Sequence, residues 1–209
     1  MHKITFIIAF LFFGSYSAMA QKIIEKEFSA EGIHRLSIAD DSIFSIKINS
    51  SKRESIKMKV HVSGEHAEAI IIEENRFQGK LALKTAVMPY FTFEKDKLAV
   101  HKVMAIEVEM YIPETISVEI KSKLASLETK GKIQNLSVSL QNGSCILTDF
   151  SGRARLKTIT GNIELKAQKE VSGKAVSRNG TVVNTLFKEG KFLVEAESIN
   201  GDIYMLQTN

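Results

Sequence analysis

Apolar and polar residues alternate with a period of two along most of the chain. Residues 43–48 read Ile-Phe-Ser-Ile-Lys-Ile, residues 56–62 read Ile-Lys-Met-Lys-Val-His-Val, and residues 106–112 read Ile-Glu-Val-Glu-Met-Tyr-Ile. Apolar residues at every second position line one face of an extended chain, so each stretch predicts a strand with one buried and one wet face. Helix formers gather only at Glu65-His66-Ala67-Glu68-Ala69, before Ile70-Ile71-Ile72 returns to strand preference. That leaves room for at most one helical turn. Pro89 and Pro113 fall at segment edges, where a missing donor does little harm. The predicted class is all-β.

The C-terminal half repeats itself. The segments Ile116–Asn135, Leu136–Arg153, Ala154–Lys174, Ala175–Lys191 and Phe192–Asn209 each open with alternating apolar residues. Four carry a glycine turn, at Asn142-Gly143, Thr160-Gly161-Asn162, Asn179-Gly180 and Asn200-Gly201, in steps of 18, 19 and 21 residues. A second strand follows each turn, and the first four segments close near Gly131, Gly152, Gly173 and Gly190. Asn-Gly between alternating strands fits an antiparallel meander. A β-solenoid also fits, with coils of about 20 residues stacked roughly 4.8 Å apart and glycine supplying positive φ at each corner. The fixed order of strand, glycine and strand favours the solenoid. Its inward ladders would be Val118, Val138, Leu156 and Val194, and Ile146, Ile163, Val182 and Ile203. Residues 22–102 lack the glycine repeat and read as longer strands or a sandwich-like cap on the stack. No Gly- or Pro-rich linker divides the halves, so residues 21–209 are expected to form one domain.

Two stretches of this repeat, Thr158-Ile159-Thr160-Gly161-Asn162-Ile163-Glu164 and Ser198-Ile199-Asn200-Gly201-Asp202-Ile203-Tyr204, resemble the Thr/Ser-x-Ser/Asn-Gly-Asp/Asn-Ile signature of bacterial adhesin-like envelope proteins. This group comprises auto-transporter adhesins and domains of unknown function. Tyr111-Ile112-Pro113 followed by Ile116-Ser117-Val118-Glu119-Ile120 resembles the strand that opens their repeat. The resemblance covers residues 105–209. It implies a right-handed parallel β-solenoid in the bacterial envelope, with no established activity. The chain departs from the signature at Lys123-Leu124-Ala125, where glycine is expected, and at Arg178-Asn179-Gly180-Thr181.

Composition narrows the function classes. The 209 residues hold 28 Lys and Arg against 24 Asp and Glu, with 44% hydrophobic residues, enough apolar content for a real core. The small, scattered positive balance argues against a nucleic-acid binder. Met1-His2-Lys3, the apolar run from Ile4 to Gly14, and Ser15-Tyr16-Ser17-Ala18-Met19-Ala20 have the form of a secretory signal cleaved after Ala20. No Cys follows the cleavage site, so no lipid anchor is expected, and no later run is long and apolar enough to span a bilayer. The expected location is the periplasm or the exterior of a bacterium. Cys145, the one cysteine, excludes an internal disulfide and reads as a small buried hydrophobe.

Motifs for chemistry are sparse. His34, His61, His66 and His101 do not have the spacing of converging metal ligands, and Asp40-Asp41 reads as a turn. Phosphate-loop, zinc-protease and serine-elbow motifs do not occur. Solenoids can carry glycan-cleaving carboxylates on adjacent coils, and Asp149, Glu164 and Asp202 are the nearest candidates, though they read better as solvated turn and surface groups. Met88-Pro89-Tyr90-Phe91-Thr92-Phe93 gathers large apolar residues ahead of a charged tip. Tyr90, Phe91 and Phe93 form the candidate binding patch, the alternative being that they fill or cap the core. No cofactor or metal is expected. The chain reads as a non-enzymatic, adhesin-like protein that binds an envelope protein or glycan. A structural or sensing module is the main alternative.

Overall fold

The computed structural model describes residues 21–91 and 104–208. The expected signal, residues 1–20, lies outside them. Fifteen strands join in one sheet. They are β1 (Gln21–Ser29), β2 (Arg35–Ala39), β3 (Ser45–Ser51), β4 (Ser55–Ser63), β5 (Ile70–Phe77), β6 (Lys80–Val87), β7 (Ala105–Pro113) and β8 (Ser117–Ser122), then β9 (Ser126–Leu140), β10 (Cys145–Thr158), β11 (Ile163–Ala167), β12 (Val171–Ser177), β13 (Val182–Asn184), β14 (Phe192–Ser198) and β15 (Ile203–Gln207). The three alternating stretches fall on β3, β4 and β7. The helix-forming stretch yields a single 3-10 turn at Ala67–Ala69.

Two ladders share the long strands β9 and β10. The first runs β1-β4-β7-β3-β9-β10-β11-β15-β13, and the second runs β5-β6-β2-β8-β9-β10-β14-β12. The first half of β9 pairs with β3 and its second half with β8, so the strand itself carries the sheet from one ladder to the other. In β10 the same change falls at a bulge between Thr148 and Ser151. Gly131, at φ 94°, and Gly152, at φ 140°, stand at the bends, in backbone conformations that side chains resist. The apolar faces turn inward and form the core. One row is Val60–Val108–Ile46–Leu127–Cys145–Ile163–Ile203, and a facing row is Leu83–Ile38–Ile120–Val138–Leu156–Ala196.

The expected right-handed parallel β-solenoid is not what forms. The chain is a curled half-barrel sheet of mixed strand orientation. The pairs β1–β4, β4–β7 and β5–β6 are antiparallel, while the pairs from β3 and β2 onward are parallel. The physical reason lies at Gly131 and Gly152. The sequence reading takes them as the ends of coils, but they bend strands of 15 and 14 residues that continue through them. The expected ladders hold where Val138 lies beside Leu156 and where Ile163 and Val182 flank Ile203, and they shift elsewhere. Val118 lies beside Leu136, and Val138 lies beside Ile120. Ile146 faces outward beside Glu164, leaving Cys145 in the inward row, and Val182 is exposed.

The repeated signature has a structural explanation. The turn glycines form a column in which each lies against the carbonyl of the layer beside it. A Cβ on Gly143 would sit 1.7 Å from the Ala125 carbonyl oxygen, one on Gly161 2.3 Å from that of Gly143, and one on Gly201 1.9 Å from that of Gly161. Close approach, and not positive φ at every corner, is therefore what requires glycine here. Ala125, the departure from the signature, stands at the foot of this column. The residue after each glycine links the layers. Ser126 Oγ accepts from Ser144 N–H, Ser144 Oγ from Asn162 N–H, Asn162 Oδ1 from Asp202 N–H, and Asp202 Oδ1 from Thr181 N–H. The hydroxyl three residues before the glycine closes the turn: Ser198 Oγ accepts from Gly201 N–H, and Ser177 Oγ from Gly180 N–H.

Candidate functional site

The outer face of the second ladder holds a groove along β9. Outward positions in the second half of β9 are Asn135, Ser137 and Ser139, with Gln141 just beyond, all short or uncharged. Longer side chains stand on both sides. Glu119 and Lys121 rise from β8, and Arg153, Arg155 and Lys157 from β10. The contrast in side-chain length makes the trough. One lobe encloses about 830 Å³ and extends over Glu197, Val176 and Arg178. The adjoining lobe encloses about 600 Å³ and reaches Arg35 and Leu193.

Every carboxylate of the groove has a cation. Lys157 Nζ lies 2.7 Å from Glu197, Arg155 3.2 Å from Glu195, and Lys80 3.5 Å from Glu119. Lys123 pairs with Asp41 and donates both its ammonium and its backbone N–H, which holds the Asp41 carboxyl below its ordinary range. Arg35, Lys121, Arg153 and Arg178 also line the groove and have no ion-pair partner among the described residues. The trough is thus polar at its floor and cationic in balance.

The sequence candidates lie elsewhere. Tyr90 is fully exposed at φ 68°, whereas Phe91 is half-buried with its ring edge-on to His66 at 5.3 Å. Phe93 and His101 lie outside the described residues. Of the two described residues of the expected patch, Tyr90 projects and Phe91 packs. Asp149 sits in the β10 bulge, Glu164 on the outer face of β11, and Asp202 in the layer-linking chain with its other oxygen taken by Tyr204. None of the three lines the groove. Among the described residues no three His, Cys, Asp or Glu side chains converge as metal ligands. Asp40 is buried and accepts from Thr85 N–H and Oγ1, both at 2.6 Å, fastening β6 to the turn after β2. Cys145 is fully buried, and desolvation pushes its thiol up to about 12. Sequence reasoning missed the groove, because Ser137 and Ser139 become its floor only when β8 and β10 are in register beside them.

No protein-family model and no curated protein matches the chain. Its fold is similar to that of a solved candidate cell adhesion protein from Clostridium sporogenes, at TM-score 0.60 and 17% identity, covering 90% of this chain and 100% of that one. A candidate adhesin from Bacteroides fragilis aligns at TM-score 0.39 and 12% identity, over 88% of this chain and 97% of that one. The first likeness is one of fold alone. No helix among the described residues is long and apolar enough to cross a membrane.

Proposed function

We propose that this is an exported, non-enzymatic bacterial envelope protein that works by surface contact, holding a glycan chain in the groove along β9. The groove carries the reading. Its floor offers the Asn135, Ser137, Ser139 and Gln141 side chains in a line, about 6.8 Å apart along the strand. The strands beneath are paired on both sides, so a ligand meets side chains and not open backbone. Hydroxyl and amide groups both donate and accept, as sugar hydroxyls require. The form of Met1–Ala20 supports export, and the shared fold with a candidate cell adhesion protein supports a binding role. The separate settings of Asp149, Glu164 and Asp202 support contact over hydrolysis by those three residues.

The test is crosslinking in intact cells, followed by pull-down of the tagged protein and analysis of both glycans and proteins. The expected result is glycan recovery that is lost in Ser139→Trp, which fills the trough from an outward position, and kept in Tyr90→Ala. A recurring protein partner without glycan would overturn this reading in favour of a structural or sensing module. Turnover of the recovered glycan would overturn the non-enzymatic part.

A further inference from the structure

The two ends of the second ladder are finished differently. At one end β5 is an edge strand, and its free carbonyls are covered from β1. Lys22 Nζ donates to the Glu68 and Ile70 carbonyls at 2.7 and 2.8 Å, and Lys26 Nζ to that of Ile72 at 3.3 Å. Ammonium groups on the open side of an edge strand block addition of another strand. At the other end, β14 is the one strand among the described residues that pairs with β12. The chain after β13 covers only the start of β12. Phe187 bridges to Ser172, and Asn184 Nδ2 donates to the Gly173 carbonyl at 2.9 Å. From Lys174 to Ser177 no described residue lies in strand pairing on that side.

The backbone there is set for a partner. The Phe192 N–H donates to the Glu170 carbonyl, so even-numbered residues of β12 turn their polar groups to β14. Strand alternation then turns the N–H and C=O of Ala175 and Ser177 to the open side. Side chains add a chemical preference. Across the outer face, charge alternates strand by strand: Arg155 and Lys157 on β10 pair with Glu195 and Glu197 on β14. The next strand outward is basic again, with Lys174 on β12 and Arg178 just after it. Glu195 and Glu197 are already engaged by β10, and neither Lys174 nor Arg178 has an ion-pair partner among the described residues. Between these two cations Val176 is 66% exposed.

We propose that the Lys174–Arg178 edge binds an extended acidic segment of a partner protein as an added strand. The segment has the pattern acidic-x-apolar-x-acidic, with carboxylates against Lys174 and Arg178 and the apolar residue against Val176. This pattern reads the same in both directions, so it suits parallel or antiparallel addition. A second copy of the chain suits the edge poorly. Antiparallel self-pairing about Val176 sets Lys174 opposite Arg178, and like charges directly opposite destabilise a strand pair. Val176 and Arg178 also line the far end of the groove, across β10 and β14 from its β9 floor, and strand addition at this edge does not require a glycan on that floor.

The full chain is titrated with a fluorescent synthetic peptide centred on Glu-Thr-Val-Thr-Glu, read by anisotropy. Binding is expected, along with slowed amide exchange at Ala175 and Ser177. N-methylation of alternate peptide nitrogens on the pairing side abolishes binding if a strand is added. The double variant Lys174→Glu/Arg178→Glu weakens the acidic peptide by about tenfold or more, and a Lys-Thr-Val-Thr-Lys peptide restores binding to that variant. Absence of binding overturns the proposal, as does binding insensitive to N-methylation or a swap without rescue. Dimerisation of the chain alone, lost in the double variant, would reassign the edge to a second copy. Ser139→Trp, with β10 and β14 between it and the edge, leaves peptide binding intact, which separates occupation of the edge from occupation of the groove floor.

Discussion

Single residues in this chain are constrained by distance more than by type. Gly143 faces the Ala125 carbonyl so closely that a methyl group cannot enter without moving a layer. Gly143→Ala is expected to cost about 3 kcal/mol in urea unfolding, because the obstacle is backbone and cannot rotate away. Thr129 presents the opposite case. It stands in an inward row between Ile48 and Leu147, and its buried Oγ1 has no hydrogen-bond partner among the described residues. Thr129→Val keeps the shape and removes the orphaned hydroxyl, so it should stabilise by about 1 kcal/mol in the same assay. Cys145 supplies a pH dependence. Its thiol is raised from 9.0 to about 12 by burial, so the unfolded chain ionises first as pH rises. The contribution is fully present below pH 9 and declines by about 1.4 kcal/mol per pH unit above it. Unfolding of the protein and of Cys145→Ala, compared between pH 8 and 10.5, should show the difference in slope.

At the scale of elements, β1 and β5 close one side of the curl through lysine side chains. Replacing Lys22 and Lys26 with Ala frees the carbonyls of Glu68, Ile70 and Ile72. Amide exchange at the β5 edge should then accelerate, and the variant should self-associate more readily on concentration, seen by light scattering. Strands were the legible part of this sequence. β3, β4 and β7 alternate cleanly because each has one face in the core and one in water. Topology was not legible. Gly131 and Gly152 read in sequence as the ends of coils, yet they bend strands that continue, and that difference changes the architecture. The inward ladder is misread by two residues at Val118 because pairing it with Val138 assumes a step of 20 residues, where Val118, Leu136 and Ala154 follow one another at 18. The groove depends on neighbours from three strands and so left no local signal at Ser137 or Ser139. Asp202 illustrates a further limit: a carboxylate beside a glycine turn looks available for chemistry, but its oxygens are engaged in linking layers and in holding Tyr204.

Across the whole molecule, β9 and β10 belong to both ladders, so neither ladder can open without exposing the core of the other. A single unfolding transition is expected, with far-ultraviolet circular dichroism and tyrosine fluorescence coinciding; separated midpoints would show that the ladders unfold independently. Most strand pairings join distant parts of the chain, which places folding in the slow range of milliseconds to seconds. The order of strands adds a constraint of timing. β14 and β15, made after every other described strand, lie inside the sheet, between β10 and β12 in one ladder and between β11 and β13 in the other. A chain emerging from its N-terminus can assemble as far as β11, but β12 and β13 then have no strand to pair with. They must wait until β14 and β15 arrive and slot in beneath them. The finished outer layer therefore forms only after β14 and β15 are made, and a surface built on it cannot be presented by a chain cut short before them.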